Sequence, residues 1–178
     1  FVGRLGTSAS GAVGVVFGFM AVIQAFAFML GQGSGSILAR ALGQKNLETA
    51  TKHSSTGFFA ALLCGALISV IGFLWLDEIV TILGSTPTIA PFAKTYITYI
   101  LIASPFMCSS LAMNNILRYE GRALFGMIGL LTGGILNIAG DAVLIFRLRM
   151  GIGGAGLSTA ISQIVSFSIL LSMFIRGK

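Results

Sequence analysis

The chain has 178 residues, 56% of them hydrophobic and only 9% charged, and its mean hydropathy is +0.97. Soluble domains carry about 25% charged residues, so this composition excludes an ordinary globular core and points to an integral membrane protein; the apolar runs are too long and too many for a signal peptide. The formal charge of +6 comes from basic residues clustered between the apolar runs, which is a positive-inside pattern rather than a nucleic-acid surface, and no nucleic-acid partner is expected.

Five apolar segments can be drawn, at about 12–39, 57–76, 89–115, 124–146 and 152–175. Each reaches the roughly 20 residues that span a bilayer. The expected fold class is therefore all-α: a polytopic membrane helix bundle of five spans, multi-pass in the cell membrane with lipid as its solvent. The chain has 24 Gly and 3 Pro, and Gly inside apolar runs suits helices that approach one another closely. In the first segment, "GQGSGSILARALGQ" (31–44) loosely resembles a dinucleotide loop through Gly31, Gly33 and Gly35. No strand precedes it and no acidic residue follows about 20 residues on. It reads better as small residues for helix packing, or as a pliable stretch of helix.

"RALGQKNLETATKH" (40–53) is expected to be a polar connector, with His53 a solvated residue near a helix start. "DEIVTILGSTP" (77–87) reads as a short interfacial turn of helix. Cys64 and Cys108 lack metal-ligand spacing and read as small buried hydrophobes. Pro105, in "LIASPFMCSS", should kink the third span. Trp75, Tyr96 and Tyr99 fall towards the outer boundary of the membrane, as aromatic belts do. "RYEGRA" (118–123) and "RLRMG" (147–151) are tight turns, the first a solvated one with local ion pairs among Arg118, Glu120 and Arg122.

Connectors alternate between the two sides of the membrane. One side collects Arg40, Lys45, Lys52, Arg118, Arg122, Arg176 and Lys178; the other collects Arg4, Lys94, Arg147 and Arg149 together with Asp77 and Glu78. The bias places the connectors 40–53 and 118–123 in the cytoplasm.

The fourth segment sorts into two faces at about 100° per residue. Gly126, Gly133, Asn137, Gly140 and Asp141 share one arc, with the three glycines open for helix packing. Ile128, Leu131, Ile135, Ile138, Ala142 and Ile145 share the opposite arc, which suits lipid. A charged Asp at membrane depth costs about 2.5–3.5 kcal/mol on insertion scales, so Asp141 should face protein or water and serve a function. In the fifth segment Thr159, Gln163 and Ser166 recur as a polar stripe. An antiparallel hairpin about the 147–151 turn sets Asp141, six residues before Arg147 and so about 9 Å from it, near the depth of Thr159, about 12 Å beyond Gly151. Asp141, Asn137 and Thr159 together could hold a small hard cation such as sodium, or a proton. No Ser/His/Asp, Cys/His or zinc arrangement can be assembled, so neither an enzyme nor a cofactor is expected.

Four stretches, "GSGSILARALGQKNLETA", "NNILRYEGRALFGMI", "ILNIAGDAVLIF" and "MGIGGAGLSTAISQ", resemble, in that order, the multidrug and toxic compound extrusion (MATE) family. The resemblance implies a twelve-helix transporter of two six-helix lobes, exporting compounds by alternating access against a proton or sodium gradient. It implies further that residues 1–178 are a partial amino-terminal lobe holding helices two to six. On this reading the first helix, with a partner Asp, and the carboxy-terminal lobe belong to the rest of the same chain. The family motif of prokaryotic members falls on Asn137, Asp141 and Thr159 as coupling positions. Small amphipathic cations are the implied substrates, with Phe and Met lining a broad pocket. Two alternatives stand beside this: a lipid-linked saccharide flippase of a related superfamily, whose cavities tend to be strongly basic, and a membrane scaffold without transport.

Overall fold

The computed structural model describes residues 1–176; Lys178, counted above among the basic residues of one side, lies outside them. A single 3-10 turn, Val2–Leu5, leads into α1 (Thr7–Gly43). There follow α2 (Leu47–Leu74), the short α3 (Leu76–Ile82), α4 (Ala90–Tyr119), α5 (Ala123–Asp141), a π turn (Ala142–Arg147) and α6 (Gly151–Ile175). The five long elements are each apolar and long enough to cross a membrane, and no strand occurs among the described residues.

The expected polar connector 40–53 is mostly helix: α1 runs to Gly43 and α2 begins at Leu47. Polar composition marks where the hydrocarbon ends, not where backbone hydrogen bonding ends. With 37 residues, α1 is about 56 Å long against a core of about 30 Å, so it projects beyond the bilayer or tilts within it. The turn between α1 and α2 is closed by Asn46, whose side chain accepts the Thr49 N–H at 3.0 Å as an N-cap, with Glu48 favourably placed in the first turn.

The core is α4. Its most apolar stretch is 78% buried, against 17% for those of α1 and α5, and it packs on α1, α2, α5 and α6. Close approach is what makes this enclosure possible. A Cβ on Gly31 of α1 would lie 2.9 Å from the Ala112 Cα, and one on Gly65 of α2 would lie 2.6 Å from both the Pro105 Cα and the Ser104 carbonyl oxygen. Gly31 and Gly35 are thus packing residues, whereas Gly33 faces open space.

Helix α4 runs unbroken through Pro105. Proline has no N–H for the Leu101 carbonyl, which in hydrocarbon must find another donor. The buried Ser104 hydroxyl lies 3.0 Å from that carbonyl and 2.8 Å from the Gly65 carbonyl, so one side chain serves the proline gap and the α2–α4 contact together. The Ser109 hydroxyl donates to the carbonyl of Pro105 itself. Cys64 and Cys108 are free thiols.

Of the three aromatics placed at the outer boundary, only Trp75 is exposed there. Tyr96 is buried, and Tyr99 packs on Gly156, where a Cβ would stand 2.6 Å from its ring. The surroundings of α4 on every side, rather than its depth, decide where these rings go.

Gly65→Ala should destabilise the full-length protein by roughly 1–3 kcal/mol, because the backbone of α4 cannot yield as a side chain would. Thermal unfolding in detergent should show a lowered midpoint for it and none for Gly33→Ala, whose Cβ meets nothing within 4 Å.

Candidate functional site at the α5–α6 interface

The α5–α6 pair is a seam of glycine against serine. A Cβ on Gly140 would come within 2.5 Å of the Ser158 Oγ, one on Gly133 within 3.0 Å of the Ser166 Cβ, and one on Gly129 within 2.4 Å of Leu170. Gly126 faces α4 instead, against the Asn114 amide. The three glycines singled out in the sequence therefore serve two neighbours, with Gly129 as a further contact that the sequence reading missed.

Serine hydroxyls cross the seam to backbone carbonyls: Ser158 donates to Asn137 O at 2.9 Å and Ser166 to Gly129 O at 2.9 Å. The inward polar stripe of α6 is Ser158, Ser162 and Ser166, all buried, rather than Thr159, Gln163 and Ser166; Gln163 is only half-buried and Thr159 sits at the stripe's edge. The shift by one residue follows from the glycines. Only a small hydroxyl fits where the backbones are this close.

At the edge of this seam Asn137 Nδ2 donates to Thr159 Oγ1 at 3.1 Å, and Thr159 Oγ1 donates to the Ala155 carbonyl at 3.0 Å. Asp141 lies one turn further along α5 and is half-buried. Its Oδ1 is buried and has no hydrogen-bond partner among the described residues. The Ser158 hydroxyl is near the carboxyl group but is committed to Asn137 O. Tyr96, 7% exposed on α4, brings its hydroxyl within reach of Thr159 and within electrostatic range of Asp141. The sequence reading assigned this tyrosine to the membrane boundary. Nothing in its own segment marks it as part of the site, because α4 meets α5 and α6 only in three dimensions.

Immediately after Asp141 the helix loosens. The Leu148 N–H bonds the Val143 carbonyl five residues back at 3.1 Å, and Ala142–Arg147 forms a π turn. Such turns hold more residues per turn than an α-helix and concentrate at functional sites. They also break the 100° phase. Ile128, Leu131, Ile135 and Ile138 are exposed along one face as the sequence predicts, but Ala142 is half-buried and Ile145 is 3% exposed. The π turn lags behind α periodicity and swings Ile145 from the lipid face into the core. A Cβ on Gly154 would stand 3.0 Å from the Leu144 carbonyl, so α6 makes room for the turn.

Among the described residues no group of three or more His, Cys, Asp or Glu could hold a metal ion. Five membrane-length helices, with a half-buried carboxylate at the interface of two of them, define a polytopic α-helical membrane protein. The chain belongs to the MatE family, which it matches over residues 1–143. It is 28% identical to the multidrug export protein MepA of Staphylococcus saprophyticus over 177 residues, covering 99% of this chain and 39% of that relative. It is 29% identical to MepA of Staphylococcus haemolyticus, with the same coverage. It superposes on a crystal structure of MATE in complex with MaD5 with a TM-score of 0.92 at 28% identity, over 99% of this chain and 40% of that one. An inward-facing multidrug resistance MATE family transporter of the MOP superfamily gives 0.88 at 27% identity, over 93% and 38%. The chain thus spans about two fifths of the length of the relatives it matches. Those relatives are multidrug export proteins, not enzymes.

The π turn can be checked in the full-length protein by cysteine accessibility. A membrane-permeant maleimide should label Ile138→Cys and leave Ile145→Cys largely unmodified. Equal labelling would mean that α periodicity continues to Arg147.

Proposed function

We propose that this chain is the amino-terminal part of a secondary transporter that exports small amphipathic compounds, cations among them, in exchange for protons or sodium ions. The observation that carries the reading is the Asp141 Oδ1: buried, unpartnered and one turn from the Asn137–Thr159 hydrogen bond. A buried carboxylate oxygen in that position is stabilised by a proton or a cation. A proton needs Asp141 alone. A hard cation such as sodium would draw in addition on Asn137 Oδ1 and Thr159 Oγ1, with further oxygens from water or from the rest of the chain.

Occupancy of Asp141 changes the charge at the α5–α6 seam, where Gly133 and Gly140 leave the backbones little slack. Any difference in ion affinity between two packings of that seam lets the gradient bias one over the other, and no larger bias is available than that difference. The acidic character of this buried group, in spans whose basic residues cluster at the helix ends, favours cation coupling over a pyrophosphate-binding flippase.

One face of α1 suits contact with a further helix of the same protein. Gly14, Gly18, Ala21, Ala25 and Gln32 lie along a single face of α1 and are all exposed. Its four small residues, with the polar Gln32 beside them, are of the kind that support helix contact in a bilayer, and the relatives of this chain are more than twice its length. Substrates that touch both this lobe and what packs against it would need little hydrogen-bond specificity, which suits the multidrug export of the relatives.

Asp141→Asn, made in the full-length protein, should reduce gradient-driven efflux of a fluorescent amphipathic cation about 5- to 150-fold, the usual range of coupling between two sites. Binding of the same dye without a gradient should persist. Wild-type efflux rates in the variant would refute the coupling role.

A further inference from the structure

At the basic end of the bundle two cavities border α2, one lined by Ser54 and the other by the next residue, Ser55. The one nearer the aqueous side, of about 340 Å³, is edged by Thr51, Ser54, Glu120 and Arg122. The second, of about 170 Å³, is bounded by Phe58, Phe59, Leu171 and Phe174. Thr51, Ser54 and Phe58 follow one another at steps of three and four residues, so they share a helix face, and Ser54 lies only about 6 Å along the axis from Phe58. Taken together, the two cavities offer a polar end and an aromatic end. The apolar part has a firm wall, since the Phe58 ring stacks on Phe174 at 6.0 Å and on Phe167 at 6.3 Å.

The polar end holds two features that packing of this chain leaves unexplained. The Ser54 hydroxyl is 1% exposed and has no hydrogen-bond partner among the described residues. Left so, it carries the desolvation cost of a buried donor. Arg122 donates to the Met173 carbonyl at 3.0 Å and stands 3.5 Å from Glu120, yet its side chain remains 25% exposed and lines the cavity. A guanidinium has five N–H donors, and these contacts leave some of them for a phosphate.

We propose that the two cavities together bind an anionic glycerophospholipid from the adjoining leaflet. The phosphate is taken by Arg122 and the Ser54 and Thr51 hydroxyls, and an acyl chain lies against Phe58, Phe59 and Phe174. The same end of the bundle carries Arg40, Lys45, Lys52, Arg118 and Arg176 against Glu48 and Glu120, which selects a net negative lipid over a zwitterionic one. The inference goes beyond the transport reading and stands or falls independently of it, since neither Asp141 nor the α5–α6 seam takes part.

The test uses the full-length protein in nanodiscs of phosphatidylcholine with added phosphatidylglycerol, reading co-purified lipid by native mass spectrometry. The wild type should retain phosphatidylglycerol over phosphatidylcholine. Arg122→Gln should reduce that preference about fivefold, the contribution of one basic residue beside an anionic headgroup. Because Arg122 also ties α5 to the end of α6, Ser54→Ala and Phe59→Ala provide arms that leave that tie intact, and each should lower retention several-fold. Arg40→Gln, exposed at the same end, should change it little. Equal retention of the two lipids by the wild type, or an Arg40→Gln effect as large as those of Ser54→Ala and Phe59→Ala, would overturn the proposal in favour of diffuse surface charge.

Discussion

A membrane interior offers no water to a backbone carbonyl or a stray hydroxyl, so every such group in the spans must find its partner within the protein. The enclosure of α4 is the structural answer to that constraint. Four long helices pack around it, and they come close enough because glycine stands at the contacts, meeting the backbone of α4 itself at Gly31 and Gly65. Close backbones in turn let short side chains reach carbonyls on other helices. Ser104 reaching Gly65 O, Ser158 reaching Asn137 O and Ser166 reaching Gly129 O are one motif used three times.

Asp141 is the one carboxylate among the described residues that falls outside this scheme, as the Ser54 and Ser110 hydroxyls do also. Ser158 lies beside the carboxyl group but donates to the Asn137 carbonyl as well, and Thr159 is engaged with Ala155 O and Asn137 Nδ2. Among the described residues the buried Oδ1 has no hydrogen-bond partner, in a fold that provides one for most of its buried polar side chains. An unmet group of this kind is where a mobile ligand has most influence, because its arrival or loss changes the local balance more than any packing contact can. The π turn begins at the next residue, so the backbone beside the carboxylate is also where the α-helical ladder is interrupted.

Much of the fold was legible from the sequence, for a simple physical reason: hydrocarbon imposes length and composition on a span directly. The five spans and the short helix after Trp75 could be drawn from hydropathy alone. Helix ends could not, since the α1 and α2 ladders continue past the hydrocarbon on residues such as Arg40 and Glu48. Within the site, Asn137, Asp141 and Thr159 were marked by being polar in apolar surroundings. Which of them touch was not marked. Hairpin counting set Thr159 near the depth of Asp141, whereas its direct hydrogen bond is with Asn137 one turn away. Ile145 and the Ser158 stripe were misplaced because a single π turn and a row of glycines alter phase and spacing, and no per-residue periodicity carries either. Tyr96 was out of reach altogether: its role depends on α4 meeting α5 and α6, which is tertiary information.

The central claim is that substrate binding and the occupancy of Asp141 are linked. It is tested most directly by measuring ion release when the full-length protein binds an amphipathic cation, in weakly buffered detergent solution with a pH electrode and, in parallel, with a sodium-sensitive dye. The account predicts that the wild-type protein releases a proton or a sodium ion on binding and that Asp141→Asn binds without releasing either. Equal release from both proteins would contradict it and move the coupling group away from the α5–α6 seam.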